Sequence, residues 1–248
     1  KAVMLSHKNL ATNVYDLQSV EDINENDVSI ALLPFHHIFG STCMTYTLAC
    51  GVKIVFPDGL RYVKQNLIEY KVTMFVGVPL LMESIYKAVV KEIEKKGKTK
   101  LIKVATKVSN FLLKFKIDVR RKLFKQVIDS LGGALRLIII GGAPADPKIL
   151  KAFDDFGIIT LQGYGLSETA PVVAGTPEKD RVAGTVGKAS NCEIRLENVD
   201  EKGIGEILVK GNNVMLGYFE DEEATNQAIV NGWFHTGDLA YIDKDGFI

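Results

Sequence analysis

Five short, predominantly apolar runs constrain this chain most. Residues 28–33 (VSIALL), 52–56, 72–76, 135–140 and 158–161 are too brief for a buried helix and too apolar for strands with one wet face. Strands of that kind sit in a sheet covered on both sides. Between them the spacing becomes helical, over residues 62–70, in a helix entered at Pro79 and over residues 147–156. The alternation predicts an α/β fold, a mostly parallel sheet layered with helices. From Leu81, the residues Ile85, Val89 and Ile93 recur every four positions and predict one buried stripe. Val108, Leu112, Phe115, Val119, Leu123 and Val127 continue at three and four, which predicts a long amphipathic helix over residues 107–131 with a solvated basic face. A polar break at Gly97-Lys98-Thr99-Lys100 separates the two helices, and the hairpin reads as an insertion laid over the sheet, ended by Gly132-Gly133. Ser6 is the expected N-cap of a helix running through Asn13 and Leu17.

Beyond Pro177 the pattern changes. Short runs at residues 192–196 and 205–209, separated by DEKG and KGNN, read as antiparallel hairpins, and Asp243-Lys244-Asp245-Gly246 as a hairpin turn. The expected organisation is an α/β core over residues 1–176, with a helical insertion at 79–133, followed by a small antiparallel β subdomain at 177–248.

Thirty basic residues balance thirty acidic ones, which leaves no electrostatic footprint for nucleic acid or an anionic membrane surface. Cys43, Cys50 and Cys192 are odd in number and lack a CxxC pair, so neither a disulfide framework nor a zinc site is expected, and a reducing cytoplasm is. No apolar run reaches the length of a membrane span.

The chemistry concentrates at residues 162–171, QGYGLSETAP. Gly163 and Gly165 are expected to let the chain bend sharply, exposing Tyr164, Ser167 and Glu168 on one rim, with Gln162 leading in. Gly141, Gly142, Ala143 and Pro144 form a second small-residue turn directly after a strand. A planar base fits between that turn and the Tyr164 ring, while Ser167 donates to a phosphate and Glu168 holds magnesium. The competing reading is a pair of ordinary turns closing buried strands. Asp238, in GWFHTGDL, is placed to accept two ribose hydroxyls, or simply to turn the chain after Gly237. Lys1 is read either as a solvated side chain or as the end of a phosphate loop. Phe35-His36-His37 lies just past a strand end, where open α/β sheets carry ligands. No Glu or further His follows at helical spacing, so a pocket wall or gate is favoured over a metal site.

Four segments in order, KAVMLSHKN, LPFHHIFG, GGAP with GYGLSETAP, and GWFHTGDLAYIDKDGF, resemble the adenylate-forming superfamily. The likeness is closest to the long-chain fatty acyl-CoA synthetases of bacterial type and extends over essentially the whole chain. The resemblance implies that Lys1 ends the triphosphate loop, the rest of which precedes residue 1, and that a mobile C-terminal domain follows residue 248. It implies that His37 borders the acyl pocket, that Gly141, Gly142 and Ala143 flank adenine, and that Tyr164 stacks on it. Ser167 stands where threonine is usual at the α-phosphate, and Ala2 where glycine is usual; Glu168 falls on the Mg2+ ligand and Asp238 on the ribose-binding aspartate. The implied partners are a fatty acid, ATP and CoA, with membrane association only through the fatty substrate. The implied reaction makes acyl-AMP and pyrophosphate, then acyl-CoA. The expected fragment is inactive alone. Two alternatives stay open. An adenylation domain or another carboxylic-acid-activating relative would share the ATP residues, although His36 stands where amino-acid activators place an aspartate. A non-catalytic nucleotide-binding α/β domain is the other, against which stands the absence of GxxxxGK[ST] and GxGxxG.

Overall fold

The computed structural model describes residues 1–18, 22–190 and 192–248, which form two compact units. One comprises Asn24–Leu33 and Gly51–Thr160; the other comprises Lys1–Ile23, Pro34–Cys50 and Leu161–Ile248. The fold class is α/β, with a mostly parallel sheet and smaller antiparallel sheets.

In the first unit the parallel strands run in the order Lys53–Val55, Val28–Ile30, Met74–Gly77, Leu137–Ile140. Ser29 pairs with Ile54 on one side and Met74 on the other, and Met74 in turn with Leu137. All four strands arise from the short apolar runs. Phe75 and Ile138 are fully buried and join Met82, Ile85, Val89, Phe124, Val127 and Phe153 in one core, so strands and helices bury their apolar faces against each other. The helix Pro79–Lys95 begins with proline at its first turn, where the missing N–H has no partner to lose.

The long helix expected over residues 107–131 is three: Thr99–Leu113, Arg120–Leu123 and Lys125–Ser130. The chain breaks where Lys116 turns into the left-handed region at φ 61°. The basic face is not simply solvated either. Arg120 donates to both Asp118 oxygens and to the Asp154 carbonyl at 2.9 Å, and Arg121 donates to the carbonyls of Leu135 at 2.8 Å and Gly157 at 3.1 Å. The Asp118 hydrogen bond holds the Arg120 guanidinium above its usual pKa. Nor is the apolar stripe buried throughout: Val127 is, whereas Val108, Phe115 and Leu123 are exposed.

Asp27, buried at the start of the sheet, accepts from Thr73 Oγ1 at 2.6 Å and pairs with Arg136 at 2.7 Å. Burial raises its carboxyl pKa, but the hydrogen bonds from Arg136 and Thr73 and the guanidinium charge outweigh burial, and the net position is below the ordinary value. A carboxyl lowered in the fold contributes stability that is complete above its unfolded pKa, ~3.9, and is lost as pH falls through the folded value. Asp27→Asn is therefore expected to cost about 2 kcal/mol at neutral pH and to flatten the loss of stability below pH ~3.9. Urea melts of both proteins across that range test this; parallel curves would remove Asp27 from the acid response.

Candidate functional site

The strand Ile159–Gly165, whose residues from Leu161 on belong to the second unit, carries the central motif further as extended chain than its glycines suggest. Gly163 pairs with Gly175 and Tyr164 with Ala174, antiparallel, and the turn comes only at the short 3-10 helix Ser167–Thr169. The expected sharp bend at Gly163 and Gly165 is absent; neither has a positive φ. Gly165 is required by proximity instead. A Cβ there would stand 1.8 Å from the Pro171 carbonyl oxygen.

That narrow loop is anchored by amides. The helix His7–Leu17, capped by Ser6 as expected, buries Asn9 and Asn13 four residues apart on one face. Asn13 Nδ2 donates to the Thr169 carbonyl at 2.9 Å while its Oδ1 accepts from the Val172 N–H at 3.2 Å. Thr169 Oγ1 donates to Pro171 O at 2.6 Å, and Thr42 Oγ1 donates to the Ala170 carbonyl. Residues 166–172 thus hold their shape through buried hydrogen bonds, and Ser167 and Glu168 ride on the outside of that turn, Ser167 exposed and Glu168 half-buried.

Glu168 Oε1 accepts from the Tyr218 hydroxyl at 3.0 Å. Burial, followed by the hydrogen bond to Glu168, pushes the Tyr218 hydroxyl up to about 12, so it stays a donor through neutral pH. The Lys1 ammonium lies 4.9 Å from the Tyr218 ring centroid. Tyr218 is placed by the pairing of Val3–Met4 with Gly217–Tyr218. One tyrosine therefore links the expected phosphate lysine with the expected magnesium carboxylate. The sequence carried no signal for it, because Tyr218 is distant along the chain from both.

Asp238 owes its position to a break in strand pairing. Between Gly205–Lys210 and Trp233–Ala240 the register jumps, Glu206 facing Leu239 and Leu208 facing His235, so Thr236, Gly237 and Asp238 bulge opposite Ile207. Side chains replace the lost ladder. Thr236 Oγ1 donates to Ile207 O at 2.8 Å and accepts from Asp238 N, and Glu206 Oε1 accepts from Gly237 N at 3.0 Å. Gly237 adopts φ 74°, a conformation glycine takes without penalty. Glu206 also faces His235, 3.4 Å from its Nδ1, with Glu197 at 3.9 Å.

The bulge presents the Asp238 carboxylate to the Tyr164 hydroxyl, which donates to it at 2.6 Å. Burial first, then that hydrogen bond, raises the Tyr164 pKa well above the ordinary value. Tyr164 and Asp238 line one cavity of about 520 Å³ with Thr185, Val186, Tyr241 and Phe247. Gln162 reaches the same wall, its Nε2 donating to the Thr185 carbonyl at 3.3 Å. An aromatic face, an exposed carboxylate and backbone carbonyls around a volume of that size suit a nucleoside.

Gly141, Gly142, Ala143 and Pro144 follow the strand Leu137–Ile140 in the first unit, with Gly142 at φ 82° and residues 142–144 exposed. His37 is the exposed N-cap residue of the helix Ile38–Ala49, its ring 5.9 Å from that of His36.

The family model described as AMP-binding enzyme matches residues 1–219. The chain belongs to the AMP-binding enzyme family. Its relatives include long chain acyl-CoA synthetase 1 of Arabidopsis thaliana, 30% identical over 100% of this chain and 42% of that protein. Long-chain-fatty-acid–CoA ligase 5 of Rattus norvegicus is 31% identical over 96% of this chain and 38% of its own length. The chain thus spans well under half the length of the curated relatives it matches. Among solved structures, o-succinylbenzoate coenzyme A synthetase from Bacillus subtilis, in complex with ATP and magnesium ion, superposes with a TM-score of 0.73 at 25% identity, covering 99% of this chain and 45% of that one. Glu168, a hard carboxylate oriented by the Tyr218 hydroxyl, is the donor type that would suit a magnesium ion.

Gly165→Ala is expected to lower stability by about 3 kcal/mol or more, since the new methyl group meets backbone rather than a movable side chain. Gly163→Ala, whose nearest neighbour would be the Ala174 carbonyl oxygen at 3.5 Å, is expected to melt within a few degrees of the parent. Equal melting temperatures for the two variants would contradict the close approach at Gly165.

Proposed function

We propose that the full-length protein is an AMP-forming long-chain fatty acid–CoA ligase. The observation that carries this reading is the Tyr164–Asp238 pair lining a nucleoside-sized cavity, with Glu168, Tyr218 and Lys1 joined in the same unit. Family membership and the names of the long-chain relatives support it. Adenine stacks on the Tyr164 ring, and the Asp238 carboxylate accepts from the two ribose hydroxyls. Ser167 donates to the α-phosphate, and His37 borders the acyl group. Glu168 would hold Mg2+, which when bound would supply positive charge to the phosphates.

A fatty carboxylate oxygen forms a bond to the α-phosphorus as the bond to the bridging oxygen breaks and pyrophosphate leaves. The CoA sulfur, its proton released, then bonds the acyl carbon, and the carbon–oxygen bond to AMP breaks. A carboxylate is already a nucleophile, so the first half needs alignment and charge rather than a base. Lys1 contributes that charge and Tyr218 holds the Glu168 carboxylate in place. A second carboxylic acid class is the competing reading, favoured by the likeness to o-succinylbenzoate coenzyme A synthetase. ATP/pyrophosphate exchange by the full-length protein, with palmitate against o-succinylbenzoate and a mixture of amino acids, separates the two. Exchange driven only by a non-fatty acid would overturn the long-chain assignment.

Tyr164→Ala is expected to weaken AMP binding about fivefold, the scale of one aromatic contact, whereas Tyr164→Phe keeps most of the affinity because Asp238 stays available to ribose. Calorimetric titration distinguishes these; equal losses would assign the effect to the hydroxyl. Glu168→Gln is expected to leave nucleotide binding measurable while cutting adenylation about 100-fold or more, since a neutral amide is a poor magnesium ligand. Unchanged turnover would take Glu168 out of the reaction.

A further inference from the structure

The helix Thr99–Leu113 turns apolar side chains outward. Leu101 is 61% exposed, Val104 58%, Val108 47%, Phe111 59% and, just beyond the helix, Phe115 63%. Their spacing of three, four, three and four sets them in one stripe along the axis. Phe111 and Phe115 meet edge to face at 5.3 Å at its end. The opposite side already has its partners. Ser109 is buried, Ile102 and Ala105 pack on the core, and Asn110 Nδ2 donates to Asp155 at 3.0 Å. The stripe is therefore not the face by which the helix is held to its unit.

Charge identifies what covers it. Residues 99–117 contain five lysines, at 100, 103, 107, 114 and 116, and no carboxylate. At 100° per residue Lys100, Lys103, Lys107 and Lys114 fall along one flank of the stripe, and all four are exposed. The chain as a whole is neutral, so this excess is local. A second copy of the same helix would set lysine flank against lysine flank, which opposes self-pairing through this seam. A planar anionic surface over an apolar interior satisfies both halves at once. Aromatic and aliphatic groups enter the acyl boundary while the lysine stems lie along it with ammonium groups among phosphates.

We propose that Thr99–Leu113, with Phe115, is a membrane-surface helix that docks the protein on anionic bilayers. This goes beyond attachment through a fatty substrate and is independent of the reaction assigned above. Co-sedimentation of the full-length protein with phosphatidylcholine vesicles, with and without phosphatidylglycerol, tests it, without fatty acid or nucleotide. Binding is expected only to the anionic vesicles and to weaken as salt is raised. The double variants F111S/F115S and K103E/K107E are each expected to reduce it at least ~10-fold, with melting temperatures near the parent's because all four side chains face solvent. No binding by the parent, equal binding to neutral vesicles, or binding unaltered in both variants would overturn the proposal. So would a parental dimer that F111S/F115S converts to monomer, since the occupant would then be a second copy.

Discussion

The approach of the Pro171 carbonyl to Gly165 fixes the geometry on which the expected chemistry rests. With no side chain at residue 165, the segment after the strand folds back until Leu166 N donates to Pro171 O at 3.0 Å, and the Thr169 hydroxyl closes the same loop from inside. A turn this tight exposes Ser167 and half-exposes Glu168 because its interior is filled with its own hydrogen bonds. Asn13 then pins it to the helix His7–Leu17 with one donor and one acceptor. Buried amides suit this task better than leucines would, since each carries direction and a misplaced partner leaves a backbone group unpaired.

Asp238 is positioned by a different device with the same logic. Strand pairing would direct it into the ladder, and the register jump ejects Thr236, Gly237 and Asp238 from that ladder. The hydroxyl of Thr236 and the carboxylate of Glu206 take over the backbone groups the bulge releases. Tyr164 then meets Asp238 as a hydroxyl donor, its proton held by burial and by the carboxylate itself. Tyrosine and carboxylate are thus already oriented on one cavity, held there by their own hydrogen bond.

The helices from Pro79 to Ser130 show how one periodic pattern serves two ends. In Pro79–Lys95 the stripe of Met82, Ile85 and Val89 is buried, whereas in Thr99–Leu113 a comparable stripe faces out. Apolar spacing states that a helix has an apolar face; it does not state what that face meets. Asn110, hydrogen-bonded to Asp155, and Ile102 and Ala105, packed on the core, hold the second helix by its other side.

The short apolar runs determined the parallel strands, Ser6 and Pro79 the starts of two helices, and the order of glycine-rich motifs the family, because these are local properties of spacing, capping and turn chemistry. Tertiary structure alone decided that Gly165 serves a close approach rather than a bend, that residues 107–131 break at Lys116, and that Tyr218, Asn13 and Glu206 stand behind the site. Each of those depends on chain segments far apart in sequence coming within hydrogen-bonding or van der Waals distance. No local pattern of residue types encodes such a meeting, which exists only once strand register and helix orientation have been set by packing.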